Sequence, residues 1–267
     1  MWMPHWGLSR DPFAEIGSPF VSLPSHNEAV ARLVFAIETS QRRAMFTAPS
    51  GLGKTAVMRR VFSEVKSPRR QLVSLSCPCD GTFLFASLAE RLGQRAGREP
   101  SRLAAWRALE RAIRLASLQG YQVVVIIDDC DDQVDATVRR DLDSLPKLGS
   151  TMPTGLTIIR LERTDGEAQP VGCAVWSPTI SLERLTRTQT ETYLATKLES
   201  AGSTERIFTP RAITRIHALS SGVPRGLEQL ASICLMAGAV RGLEVINPEL
   251  VDTAAPECWA ASFAARP

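Results

Sequence analysis

Short apolar runs rich in β-branched residues alternate with longer stretches of helical periodicity through the first two thirds of the chain. The runs Ala44–Thr47, Gln71–Ser76, Tyr121–Ile127, Leu156–Leu161 and Thr179–Leu182 read as strands. Tyr121–Ile127 is nearly unbroken in apolar residues, as a parallel strand covered on both faces would be. Between the strands, Asn27–Ser40 carries Ala29, Val30, Leu33, Val34 and Ile37 on one helical face. Ala56–Phe62, Phe83–Arg95 and Arg102–Leu118 also read as helices. Strands alternating with helices predict an α/β fold, a parallel sheet flanked by helices.

After Leu185 the strand signal stops. Thr188–Ser200, Pro210–Ser220, Pro224–Ala237 and Pro248–Thr253 read as helices, with Thr209-Pro210 and Asn247-Pro248 as helix starts. The expected organisation is therefore an α/β domain over 1–184, with an N-terminal arm over 1–25, followed by a C-terminal helical lid over 185–267.

Composition narrows the class. The chain has 267 residues, ordinary apolar content and a net charge of +3. No apolar run approaches the length of a membrane-spanning helix, and the start, Met1-Trp2-Met3-Pro4-His5-Trp6, does not read as a signal peptide. The expectation is a cytoplasmic protein without a membrane segment. Of six cysteines, only Cys77 and Cys79 are close in sequence, and scattered reduced thiols are the reading that fits. The histidines His5, His26 and His217 suggest no catalytic cluster. Arginine doublets at Arg42-Arg43, Arg59-Arg60, Arg69-Arg70 and Arg139-Arg140 could meet phosphate backbones or simply be solvated.

Chemistry enters at Ala48-Pro49-Ser50-Gly51-Leu52-Gly53-Lys54-Thr55, which follows the first strand and opens a helix at Ala56. Glycines let backbone N–H groups turn inward around an anion, and the helix points its positive end at the same place. Lys54 would reach the outer phosphates and the Thr55 hydroxyl would ligate Mg²⁺. The phosphate-loop pattern opens with Gly, and Ala48 stands there; Pro49 lacks an N–H to donate. The third strand ends in Asp128-Asp129-Cys130-Asp131-Asp132. An acid at the end of a central strand beside the phosphate loop is where such folds hold Mg²⁺, and Asp128 is assigned to that metal. Asp131 and Asp132 read as a solvated loop.

The order of these features resembles an AAA+ P-loop ATPase, and more narrowly the ATPase domain of general secretion pathway protein A and the transposon target-selection ATPases. The resemblance rests on Trp6-Gly7-Leu8 with Asp11-Pro12-Phe13, on Ser25-His26-Asn27-Glu28-Ala29, on the loop and the acidic strand, on Leu182-Glu183-Arg184-Leu185-Thr186, Thr190-Glu191-Thr192-Tyr193-Leu194 and Ile207-Phe208-Thr209-Pro210, and on Ser220-Ser221-Gly222-Val223-Pro224-Arg225. It implies ATP and Mg²⁺ as cofactors, homo-oligomer formation, and a role for Arg225 as a second sensor of the γ-phosphate. It places Asp129 where relatives carry the glutamate that orients the attacking water, and Gly7, Leu8, Pro12 and Phe13 near adenine or in a plain structural arm.

Three departures point to slow turnover. Asp129 is one methylene shorter than glutamate. The fourth strand ends in Arg160-Leu161-Glu162-Arg163, where relatives place a small amide or hydroxyl residue. Cys173-Ala174-Val175-Trp176-Ser177 lacks the arginine that relatives supply to a neighbour's ATP, leaving Arg160 or Arg163 as substitutes. Secretion-type relatives continue into a membrane segment and a cell-wall-binding domain, and the sequence ending at Pro267 shows neither. The resulting expectation is an ATP hydrolase acting as a nucleotide-dependent regulator or assembly factor on DNA or a protein partner. The alternatives are a nucleotide-gated protein-binding module with negligible hydrolysis and, third, a small-molecule kinase.

Overall fold

The computed structural model describes residues 2–14, 19–77, 80–130, 135–149, 155–164 and 176–264. By contact the chain divides into two units. One comprises Ser25–Ser50 and Lys54–Leu182; the other comprises Met1–Pro24, Gly51–Gly53 and Glu183–Pro267.

The first unit is built on five parallel strands: β1 (Arg43–Ala48), β2 (Arg70–Ser76), β3 (Gln122–Asp128), β4 (Leu156–Arg163) and β5 (Thr179–Ser181), in the order β2-β3-β4-β1-β5. Register sets Ser76 opposite Asp128, Ile127 opposite Arg160, and Thr47 opposite Glu162. One face of the sheet carries Met45, Val73, Leu75, Val123, Val125, Ile127 and Ile158. It buries them against apolar side chains of α4 (Gly81–Arg91) and α5 (Arg102–Leu118). The unit also contains α3 (Lys54–Val65), most of α2 (Pro24–Glu38), α6 (Ala136–Ser144) and a 3₁₀ turn over Leu145–Gly149.

The hydrophobic pattern does not predict α6. Its nine residues, ATVRRDLDS, bury only Val138, Asp141 and Leu142, and it is held at its start by Asp135, whose carboxylate accepts from Thr137 N–H at 2.7 Å. The start of α4 is capped by Asp80, whose carboxylate accepts from Phe83 N–H at 3.0 Å, and it is crowded: a Cβ at Gly81 would lie 1.7 Å from Asp141 Oδ2.

The second unit contains α1 (Trp2–His5), α7 (Arg187–Ser200), α8 (Pro210–Ser220), α9 (Pro224–Val240) and α10 (Pro248–Ala264). Helix α10 continues past Thr253, where the sequence reading stopped, and runs through Pro256. The starts of the middle helices are written in the sequence. Thr186 and Gln189 form a reciprocal capping box on α7, and Thr209 caps α8 ahead of Pro210. Asn247 Oδ1 accepts from Leu250 N–H at 3.0 Å at the start of α10.

The sequence reading grouped residues 1–25 with the nucleotide-binding domain; in the structure residues 1–24 pack with the helices. The cause is burial. Trp6, Leu8, Val21 and Leu23 share one core with Leu194, Leu227, Leu230, Leu235 and Ile246. Burying a side chain the size of Trp6 contributes roughly 2–3 kcal/mol, and its indole N–H is satisfied by Leu235 O at 2.9 Å. Among the described residues no helix is long and apolar enough to cross a membrane.

Candidate nucleotide-binding site

Strand β1 delivers the chain to the loop at Ala48, which is buried, and α3 leaves it at Lys54. Between them Gly51 (φ 82°) and Gly53 (φ 98°) take left-handed backbone that other residues resist. Leu52 is buried and anchors the loop, whereas Ser50 is exposed and Pro49 half-buried. The exposed Thr55 and Ala56 open α3, whose Val57, Met58, Val61 and Val65 are buried beneath. Lys54 Nζ folds back over the loop, donating to Ala48 O at 2.5 Å and to Pro49 O at 3.4 Å. The loop therefore sets the positive end of a helix start beside a cation, the arrangement that receives a phosphate chain.

Asp128 closes β3 and is half-buried. Burial pushes its carboxyl above the usual range; the Asp129 N–H, donated to Asp128 Oδ1 at 2.9 Å, opposes this, the Asp129 charge adds to it, and Lys54 opposes it again. The structure thus brings Lys54 and Asp128 into one electrostatic neighbourhood. A carboxylate short of water, together with the Thr55 hydroxyl, is a hard-oxygen donor set that fits Mg²⁺.

Asp129 is exposed and sits at φ 56°. Asp and Asn tolerate this left-handed backbone better than longer side chains do. The shorter acid at this position thus has a local cause that the sequence alone hides. The turn around it is pinned by backbone: Cys77 N–H donates to Asp128 O at 2.6 Å and Cys130 N–H to Leu161 O at 3.1 Å. Asp131, Asp132, Cys79 and Cys173-Ala174-Val175 lie outside the described residues.

The end of β4 corrects one expectation. Arg160 is only 1% exposed, is ion-paired with Glu162, and lies 3.9 Å from Asp143 and 5.7 Å above the Trp176 ring. Trp176 Nε1 donates to the same Asp143 carboxylate at 2.6 Å. A guanidinium enclosed in this way is not available to a neighbouring subunit, which removes Arg160 as a substitute for the arginine the resemblance expects. Arg163 is exposed and stands opposite Ala48. The next residue, Thr164, went unnoticed in the sequence because the strand was read as ending earlier. It is a hydroxyl residue, and its N–H donates to Ala48 O at 3.4 Å.

Within the helical unit, Arg225 is exposed at the start of α9, behind Val223 and Pro224. Unlike α7 and α8, this helix has no side-chain cap. Arg225 N–H donates instead to Gly51 O at 3.2 Å, and a Cβ on Gly51 would lie 2.9 Å from Arg225 Cβ. The helix start is clasped from below by Leu185 N–H to Gly222 O at 2.9 Å. Gly222 has φ 69°, and a Cβ there would fall 2.2 Å from Leu185 O. The histidines have separate partners: His217 with Thr190 Oγ1, His5 with Leu243 O, His26 with Ser25 Oγ.

Comparison with known proteins follows this geometry. Residues 37–161, a little under half of the chain, match the family model described as AAA domain. The chain is 24% identical over 251 residues to general secretion pathway protein A of Aeromonas hydrophila; the match covers 91% of this chain and 46% of that protein, so the chain spans about half the length of this curated relative. Among solved structures, the Aeropyrum pernix ORC1 protein in complex with DNA is similar with a TM-score of 0.70 at 17% identity, covering 92% of this chain and 68% of that one. Cdc6p from Pyrobaculum aerophilum gives 0.71 at 17%, over 97% and 75%. The Thermotoga maritima RuvB Holliday junction branch migration motor gives 0.55 at 16%, over 85% and 67%. The five-stranded parallel sheet with its glycine loop agrees with both comparisons: residues 37–161 match the AAA domain model, and the fold is that of the P-loop AAA+ ATPases.

Proposed function

We propose that the protein binds ATP with Mg²⁺ through Ala48–Ala56 and Asp128, hydrolyses it slowly, and acts as a nucleotide-dependent regulator or assembly factor that works on duplex DNA as a homo-oligomer. The observation that carries the reading is the glycine loop with Lys54 folded back over it, donating to Ala48 O, in the same sheet as the half-buried Asp128 that closes β3. In this reading Thr55 and Asp128 hold the metal, which when bound neutralises charge on the phosphates. Asp129 orients water from its exposed turn. Arg225, whose helix start packs on Gly51, reads the γ-phosphate.

The DNA arm of the proposal is supported by α5. Arg107, Arg111 and Arg114 lie on one exposed face, with the exposed Glu110 among them, and none of the three makes an ion pair among the described residues. Their spacing forms a stripe roughly 10 Å long, on the scale of neighbouring backbone phosphates. The doublets noted in the sequence are partly used by the fold instead: Arg60 pairs with Glu64, and Arg70 bonds Gln122 and Val65 O. Similar folds solved on DNA, or named as a Holliday junction motor, agree with a nucleic-acid partner.

A second reading, a nucleotide-gated protein-binding module with negligible hydrolysis, is favoured by the short Asp129 and by the enclosure of Arg160. Phosphate release from ATP, with and without duplex DNA and with Lys54→Ala as the blank, separates the two. Turnover that rises with DNA supports the regulator. Binding of ATP without turnover supports the module, and failure to bind ATP sinks both.

A further inference from the structure

We propose that Cys77 and Cys130 form a redox-modifiable dithiol beside the nucleotide site, one that hydroperoxides convert to a disulfide and so alter nucleotide handling. Two strand ends bring the pair together. Cys77 follows Ser76, the last residue of β2, which stands opposite Asp128 in register. Cys130 lies two residues past the end of β3. Both converge on one carbonyl: Cys77 N–H reaches Asp128 O at 2.6 Å, and Cys130 Sγ lies 4.0 Å from the same oxygen and 3.7 Å from Ile127 O. The neighbouring Cys77 thiol and burial together push the Cys130 thiol above the ordinary cysteine range. With Cys77 N–H and Cys130 Sγ both held against the Asp128 carbonyl, a bond between the two sulfurs calls for side-chain rotation at adjoining strand ends.

The two sulfurs differ in access, and the difference gives them separate roles. Cys77 is half-buried and meets reagents from solution. Cys130 is fully buried in the core of the sheet unit, out of reach of reagents from solution. The chemistry then runs in two balanced steps. The Cys77 sulfur attacks a hydroperoxide: an S–O bond forms, the O–O bond breaks, and the departing oxygen leaves with a proton as water or alcohol, making Cys77 a sulfenic acid. The Cys130 sulfur next attacks the Cys77 sulfur: an S–S bond forms, the S–O bond breaks, and water leaves carrying the Cys130 proton. Two thiols lose two protons and two electrons, and the hydroperoxide takes them up. The consequence for nucleotide rests on the function proposed above. A bond across these positions ties the end of β2 to the turn that presents Asp129, and small displacements there are costly.

The test uses the full chain, reduced, freed of reductant and treated with hydrogen peroxide. Non-reducing peptide mapping is expected to find Cys77 linked to Cys130, with a mass lower by two hydrogens and two fewer titratable thiols. ATP turnover is expected to fall roughly tenfold, and dithiothreitol is expected to restore both. Cys77→Ser and Cys130→Ala should each abolish the link and the sensitivity, while Cys234→Ala, a buried thiol of the helical unit, should change neither. Linkage of Cys77 to Cys79, oxidation that stops at a sulfinic acid on Cys77, or a Cys77–Cys130 link that leaves ATP binding and turnover unchanged would each overturn the proposal. If the reduced protein neither binds nor hydrolyses ATP, the functional reading has failed, and the mapped linkage alone decides the dithiol.

Discussion

Helices of the C-terminal unit begin on residues that satisfy their free N–H groups, whereas strands of the sheet unit end on residues that strands ordinarily avoid. Thr186 with Gln189, and Thr209 with Pro210, settle α7 and α8 locally. In the sheet, β3 stops at a half-buried carboxylate followed by an aspartate at φ 56°, and β4 carries a buried arginine–glutamate pair. Both strand ends lie at the carboxyl edge of a parallel sheet, where such folds bind ligands. Departures from local preference gather where the chemistry is placed, and the helices are written for stability. Helix α9 is the exception in its unit. It starts on Val223 without a side-chain cap, and its next turn holds Arg225.

The largest expected effect comes from the sheet side. Lys54→Ala is expected to lower phosphate release by at least ~10²-fold, read by a coupled phosphate assay; a smaller loss would mean that the loop does not hold the outer phosphates. Next is the buried pair. Arg160→Met removes the guanidinium that faces the buried Glu162 carboxylate and is expected to cost about 3–5 kcal/mol in urea unfolding. Arg160→Met combined with Glu162→Met should recover most of that. A single variant as stable as the parent would show that the pair adds no more than a packed apolar side chain.

On the helical side, Gly222→Ala must place a Cβ 2.2 Å from Leu185 O on left-handed backbone. We expect a loss of about 2–3 kcal/mol, seen as faster hydrogen exchange in α8 and α9. Smaller still is Asp129→Glu. The longer acid regains reach but strains its backbone, so steady-state turnover should rise no more than roughly threefold. A hundredfold rise would show that side-chain length alone limits hydrolysis. The smallest effect is at Ser221, which caps α8 at φ 52° and is exposed. Ser221→Gly should stabilise by about 0.5 kcal/mol, measured as a higher melting temperature.

The five strands were legible to within one or two residues because β-branched runs between polar breaks leave little alternative. The helices α5 and α8 were legible from their periodicity and caps. Helix α6 was not, since it buries too few apolar residues to show a stripe. At the site, the glycine loop could be read because its spacing carries its mechanism. The reason for Asp129 could not, because a backbone torsion is invisible in composition. Nor could the fate of Arg160: only the register beside Ile127 and Met45 shows that it points into the sheet's packed face. The arginines of α5 were overlooked because doublets catch the eye, while a helix face is spaced by three and four.

The strand order carries one more consequence. Strand β1, which leads into the glycine loop, has as its sheet neighbours β4 and β5, both made long after it; Arg43 lies opposite Ile158. A ribosome therefore releases the loop well before the walls that flank it exist. The segment waits as an open edge until the later strands dock on either side. The sheet around the loop is thus completed late in synthesis, so a chain interrupted before Leu156 would carry the whole phosphate-loop motif and still lack the sheet that shapes it.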